Sequence, residues 1–255
     1  MNNADLDFNS KVVLVTGGSR GLGQDVALSF ARQGAKVMIC GRKQENLDLA
    51  VKNFKNEGLE VAARPAHVAK AEDVSSLFKD LDKRFGRLDI LVNNVGMNIL
   101  TPSVAEADES IWDKIIDVNL KGTYLASKEG VTLMRREGRG KIINISSIAA
   151  RRAVVGMGIY CVAKAGVEML TKVMAMELAK YGINVNAVSP CMVRTKFSQP
   201  FWANEDLLTQ IVKTIPKGRI AETMDVVGAV MFLASNLADF ITGEVLTVDG
   251  GAMTI

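Results

Sequence analysis

Residues 11–30 read KVVLVTGGSRGLGQDVALSF. An apolar, β-branched run, Lys11–Thr16, leads straight into the glycine cluster Thr16-Gly17-Gly18-Ser19-Arg20-Gly21-Leu22-Gly23. A stretch with Leu22, Val26 and Phe30 at helical spacing follows. The order predicted is strand, glycine turn, helix. Glycine is needed where a chain turns sharply and where backbone must come close to a pyrophosphate. The helix start behind the turn offers free N–H groups and the positive end of a dipole to phosphates. A glycine cluster alone also describes an ordinary turn. Its place after a first strand and before a first helix favours a dinucleotide cradle.

Working outward, six more short runs rich in valine and isoleucine read as strands: Ala35–Cys40, Glu60–Ala66, Leu88–Asn93, Lys141–Ser146, Asn184–Ser189 and Val245–Val248. Their nearly unbroken apolar character predicts burial on both faces. Amphipathic stretches lie between them: Gly21–Gln33, Glu72–Phe85, Asp108–Arg135, Ile159–Tyr181 and Met224–Ser235. Gly34, Gly58, Gly86 and Gly182 act as stop signals. Alternating strands and helices predict an α/β fold with a parallel sheet and right-handed crossovers. The irregular part is 190–218, about the length of an inserted lid.

Composition excludes several classes. The chain has 255 residues, 48% apolar and 23% charged, with 31 Lys and Arg against 28 Asp and Glu, a net charge of +3. So small an excess does not mark a nucleic-acid or membrane-surface binder. No uncharged apolar run reaches the roughly 18 residues of a membrane span. The first ten residues hold acids but no base, unlike a secretory or transit peptide. The three cysteines, Cys40, Cys161 and Cys191, show no metal-ligand or redox spacing. A cytoplasmic, reducing location without a metal centre is expected.

The end of the second strand discriminates between cofactors. An acid there would bind a ribose 2′-hydroxyl. This chain has Cys40-Gly41-Arg42-Lys43 instead. A carboxylate would repel a 2′-phosphate, whereas a guanidinium clamps it with two parallel bonds. Arg20, inside the glycine loop, is expected to approach the same spot from the other side. The expectation is a preference for NADPH; the alternative is that Arg42 and Lys43 are solvated helix-start charges.

Mid-chain, Ser146 and Ser147 follow the strand from Lys141, and Tyr160 and Lys164 stand at i and i+4 on one helical face. A nearby ammonium is expected to lower the phenol's pKa towards working pH, as general acid–base chemistry requires. Alone, Tyr-x-x-x-Lys describes a surface pair equally well.

Taken together, the motifs resemble the short-chain dehydrogenase/reductase family over nearly the whole chain. They are Thr16-Gly17 through Gly23, Asn93-Asn94-Val95-Gly96, Asn119, Ser147, Tyr160 with Lys164, Pro190-Cys191 through Thr195, and Ile241 through Gly251. The resemblance implies one domain over residues 1–255, a Rossmann fold with a doubly wound seven-stranded parallel sheet and helices on both faces. It implies an oxidoreductase that moves a hydride between NADP(H) and a carbonyl or secondary alcohol. Tyr160 would be acid or base, Ser147 would hold the substrate oxygen, Lys164 would tune Tyr160 and bind the nicotinamide ribose, and Asn119 would hold a relay water. Ser147 lies 13 residues before Tyr160 and is preferred to Ser146. Gly17, Ser19, Arg20, Gly21, Leu22, Gly23, Arg42 and Lys43 would hold the phosphates. Asn93 and Gly96 would line the adenosine part of the groove; Pro190, Val193 and Thr195 would meet the nicotinamide.

Three departures from the family pattern stand out. His67-Val68 replaces Asp-Val beside the adenine, Val95 replaces alanine, and Cys191 replaces glycine. His67 or the Val68 backbone is expected to contact adenine. Cys191 has two open roles, shaping the pocket or oxidation.

The resemblance also implies a substrate lid at about 194–217. Phe197, Phe201 and Trp202 would form its apolar inner face, with Met97, Met157 and Met192 around the pocket, suiting a moderately hydrophobic ketone. Core or subunit contact is an equal alternative for the aromatics. Arg151 and Arg152 would face either an anionic substrate or solvent. A 3-oxoacyl thioester, on carrier protein or coenzyme A, is the second substrate expectation. A non-catalytic dinucleotide binder on the same fold is the alternative of another class. A homotetramer or homodimer is expected, pairing through Asp108–Arg135 with Ile159–Tyr181, and through 245–255.

Overall fold

Alternation along the first strand explains the architecture. In a computed structural model, which describes residues 7–254, Val13 and Val15 enter one apolar core while Val12 and Leu14 enter another on the opposite face of the sheet. All four are essentially solvent-free. A strand buried on both sides has no polar face to present, hence its unbroken apolar run. Met1 to Leu6 and Ile255, which carry parts of the N-terminal and C-terminal expectations, lie outside the described residues.

The strands are β1 Val12–Thr16, β2 Lys36–Gly41, β3 Val61–Pro65, β4 Ile90–Asn93, β5 Gly140–Ile145, β6 Ile183–Pro190 and β7 Val245–Val248. All pairings are parallel, in the order β3-β2-β1-β4-β5-β6-β7. The helices are α1 Gly21–Arg32, α2 Gln44–Asn56, α3 Ala71–Phe85, α4 Glu109–Ile116, α5 Gly122–Glu137, α6 Gly158–Leu178, α7 Gln199–Trp202, α8 Glu205–Lys213 and α9 Thr223–Ala234. On one face, Phe30 of α1, Phe54 of α2 and Val230 of α9 pack against the sheet. On the other, Leu77 of α3, Met134 of α5 and Leu178 of α6 do so. Burying each such side chain contributes about 1.5–3 kcal/mol.

This is the expected α/β Rossmann fold, a doubly wound parallel sheet with helices on both faces. From β1 the chain winds outward to β2 and β3; from β4 it winds the other way. The two directions part between β1 and β4, and a crevice opens beyond the strands' carboxyl ends at that point.

Two elements depart from expectation. The stretch expected as one helix over Asp108–Arg135 is interrupted by a π turn, Asp117–Lys121, between α4 and α5. The other is α2, Gln44–Asn56, which is not among the expected amphipathic stretches although the parallel pairing of β2 and β3 needs a crossover there; within 190–218, α8 fits an expected short helix over Asn204–Lys213.

Candidate active site

The glycine loop runs from β1 into α1 at the switch point. A Cβ on Gly23 would overlap the Gly17 carbonyl oxygen and the Asn94 amide nitrogen. Gly17 adopts a left-handed φ of 68°, a conformation that favours glycine. Asn94 ties the loop to β4: its backbone N–H donates to Thr16 Oγ1 at 3.0 Å, and its Nδ2 donates to the Thr16 carbonyl at 3.1 Å. Ser19 lies beside Gly41 at the end of β2, and Thr195 faces Gly21 across the crevice. Leu22 packs into the core. A cradle that tolerates no side chain at Gly23 suits close backbone approach to a dinucleotide pyrophosphate.

Arg20, Arg42 and Lys43 are all exposed around this loop. Arg42 and His67 line one cavity of about 330 Å³ at the ends of β2 and β3. The Val68 side chain is buried and packs against Gly122.

The second half of the site forms where β5 ends. Ser147 caps a short 3₁₀ turn, its Oγ accepting from Ala149 N–H at 3.2 Å. Ser146 turns inward instead, donating to Glu168 Oε1 at 3.1 Å. Tyr160 and Lys164 lie on α6, and both are buried. Lys164 Nζ donates to the Ile145 carbonyl at 2.7 Å and stands 5.6 Å from the Tyr160 ring centroid. A Cβ on Gly96 would lie 3.3 Å from Asn119 Oδ1 and 3.7 Å from Lys164 Nζ. Gly96, Asn119, Lys164, Tyr160 and Ser147 therefore gather at one end of the crevice.

The expected lowering of the Tyr160 pKa is not found. Burial pushes the phenol up to about 12, and the Ser147 hydrogen bond only partly offsets this. Burial also lowers the Lys164 ammonium to about 8. Desolvation is the largest cause of both shifts, because burial disfavours the charged form of each group.

Asn93 lines a small cavity with Thr16, Val68 and Val95 below the crevice. Its side chain is buried, with Nδ2 donating to Ser127 Oγ and to Asn144 Oδ1, both at 2.9 Å. It braces the core beneath the crevice, while its neighbour Asn94, passed over in the sequence, holds the glycine loop. Asn119 owes its position to the π turn. Its Nδ2 donates to the Met97 and Ile115 carbonyls, each at 2.8 Å, and its Oδ1 accepts from Met97 N–H at 3.2 Å. Both amide hydrogens are thus taken by backbone, and Asn119 pins the loop that carries Gly96.

The segment beyond β6 divides its expected pocket residues. Phe197 is half-exposed, with its ring 6.5 Å from that of Tyr160. Met157 packs in the Tyr160 cluster. Trp202 and Met192 pack around Cys191, Ile215 and Ile220 instead. The Trp202 indole N–H donates to the Thr195 carbonyl at 3.1 Å, which anchors the segment. Phe201 is half-buried on α7. Pro190 ends β6, and Val193 bridges Ala221. Arg151 reaches Glu168 at 3.3 Å and Thr247 at 2.9 Å; Arg152 donates to the Ala252 carbonyl at 3.2 Å. Both arginines hold this end of the molecule together. Among the described residues no cluster has the makings of a metal site, and no helix is long and apolar enough to cross a membrane.

A family model described as enoyl-(acyl carrier protein) reductase matches residues 17–253. The chain is 39% identical over 247 residues to dehydrogenase/reductase SDR family member 4 of Bos taurus, covering 97% of this chain and 88% of that one. It is 38% identical over 247 residues to the 3-oxoacyl-[acyl-carrier-protein] reductase of Staphylococcus epidermidis, covering 95% and 98%. Among solved structures, a gluconate 5-dehydrogenase from Burkholderia cenocepacia in complex with NADP and tartrate superimposes with a TM-score of 0.94 at 30% identity, covering 99% of this chain and 98% of that one.

Proposed function

Because this chain belongs to the short-chain dehydrogenase/reductase family of oxidoreductases, we propose that it is an NADPH-dependent reductase of moderately hydrophobic ketones. The observation that carries this is the gathering of Ser147, Tyr160, Lys164, Asn119 and Gly96 at one end of a glycine-lined crevice. Bound NADPH would supply the hydride. Ser147 holds the substrate oxygen and stabilises charge growing on it. Tyr160, protonated at neutral pH, donates its proton to that oxygen. Lys164 stabilises the phenolate that Tyr160 becomes. Asn119 positions Gly96 against them. Segment 194–217 acts as the lid, with Phe197 over Tyr160 and Trp202 as its anchor.

The NADPH preference rests on Arg20 and Arg42 and on the lack of an acid at the end of β2. The likeness to the Staphylococcus reductase supports a second reading, a 3-oxoacyl thioester as substrate. NADPH oxidation measured against aliphatic, aromatic and cyclic ketones, diketones and 3-oxoacyl thioesters separates the two. We expect free ketones to be turned over and kcat/KM with NADPH to exceed that with NADH at least tenfold. Activity confined to thioesters would select the second reading, and a preference for NADH would refute the cofactor assignment.

The three cysteines are free thiols, which suits a reducing compartment such as the cytoplasm. Trp112, Val162, Met169, Val173 and Met176 form an exposed apolar set on α4 and α6, and Phe240 stands fully exposed before β7. Patches of this kind suit isologous contacts in a homodimer or homotetramer. Light scattering on a size-exclusion column is expected to give two or four chains per particle; a monomer at micromolar concentration would contradict the assembly.

A further inference from the structure

The cavity at the ends of β2 and β3 carries more positive charge than packing requires. It holds about 330 Å³ and is lined by Arg42, Arg64, His67, Lys70, Asp73 and Ser76 among others. Two of its charged groups are already committed. Arg64 forms an ion pair with Asp80 and donates to Ser76 Oγ at 2.9 Å. The Asp73 carboxylate accepts the His67 backbone N–H at 2.9 Å. That leaves Arg42, from the β2 end, and Lys70, at the start of α3, with the half-buried imidazole between them in sequence. The net field in the cavity favours an anion.

His67 is built to meet that anion. Its Nδ1 accepts from Ala69 N–H at 3.3 Å, so the neutral ring carries its proton on Nε2. Burial, then Arg42 and then Lys70, hold its pKa below the usual value of 6.5, while Asp73 works weakly the other way. An arriving phosphate reverses that balance by adding negative charge beside the ring. Ser19, in the glycine loop, lies against Gly41 next to Arg42, so the cavity adjoins the dinucleotide crevice.

Resting on the NADPH preference inferred above, we propose that His67 and Lys70 join Arg42 in binding the 2′-phosphate, and that His67 takes up a proton from solvent as NADPH binds. The histidine that replaces an acid beside the adenine is then a pH-dependent specificity residue. NADPH affinity strengthens as pH falls through the imidazole range, and NADH affinity does not.

Fluorescence titration of NADPH and NADH at pH 6 and pH 8.5, on the wild type, His67→Gln and Arg42→Ala, tests this. His67→Gln is expected to weaken NADPH binding about fivefold at pH 6 and less than twofold at pH 8.5, leaving NADH unchanged. Calorimetry in two buffers of different ionisation enthalpy is expected to show net proton uptake with NADPH that His67→Gln reduces. Comparing variants at one pH removes the titration of the phosphate itself. Equal weakening of NADH would give His67 an adenine role and overturn the proposal. So would unchanged NADPH binding at pH 6, even if Arg42→Ala still weakened it and the cofactor preference stood. A wild type that binds NADH as tightly as NADPH would remove both together.

Discussion

Replacing Tyr160 with phenylalanine is expected to cut kcat/KM for ketone reduction about a thousandfold while NADPH still binds. General acid–base groups typically contribute between 10²- and 10⁴-fold. The buried Tyr160 ring would remain, so packing changes little. What is lost is the proton. With the phenol pushed up to about 12, Tyr160 is a neutral acid across the physiological range and needs no prior ionisation to reduce a ketone. After donation it is a buried phenolate, and the Lys164 ammonium is the cation beside it. That ammonium is lowered to about 8, so it is charged below that pH and discharged above it. Reduction by the wild type is therefore expected to be level below pH 8 and to fall as pH rises through it. Fluorescence titration checks NADPH binding to Tyr160→Phe, and initial rates check turnover. Unchanged turnover would remove Tyr160 from its role.

The second large effect is expected at Gly23. An added Cβ would overlap backbone at Gly17 and the Asn94 amide that anchors the loop, and backbone cannot swing aside as a flexible side chain can. Overpacking of this kind costs about 1–3 kcal/mol. Gly23→Ala is expected to lower Tm by about 2–10 °C, given the usual response of a chain this size. It should also weaken NADPH binding by about 10- to 100-fold, because the cradle itself must shift. Gly228, exposed on α9 with open space around its missing Cβ, is the control. There the same substitution should stabilise by about 0.5–1 kcal/mol through helix propensity. Calorimetry showing Gly23→Ala as harmless as Gly228→Ala would refute the account of the cradle.

The strands were legible because burial on both faces leaves an unbroken apolar run, and most of the helices because their stripes repeat at the right period; α2 was passed over. Ser147, Tyr160, Lys164 and Asn119 were expected as a set through the family resemblance, and the fold gathers them at one end of the crevice. Other features depend on contacts between distant segments, which spacing does not carry. Neighbouring Asn93 and Asn94 look interchangeable in sequence; only the sheet decides that one enters the core and the other holds the glycine loop. That the Trp202 indole N–H reaches the Thr195 carbonyl is likewise a contact that spacing does not carry. The direction of the Tyr160 shift turned on burial, which i, i+4 spacing cannot weigh against a cation.

The π turn at Asp117–Lys121 gives this helix one residue more than an α-helical ladder would use there. Removing any one of those residues would let the ladder close into a smoother and locally better-bonded rod. The segments on either side would then turn relative to each other by about 100°. Asn119 would swing away from Met97, and the rod would be the sounder helix and the poorer scaffold. In that stretch the chain's length, as much as its chemistry, is under constraint.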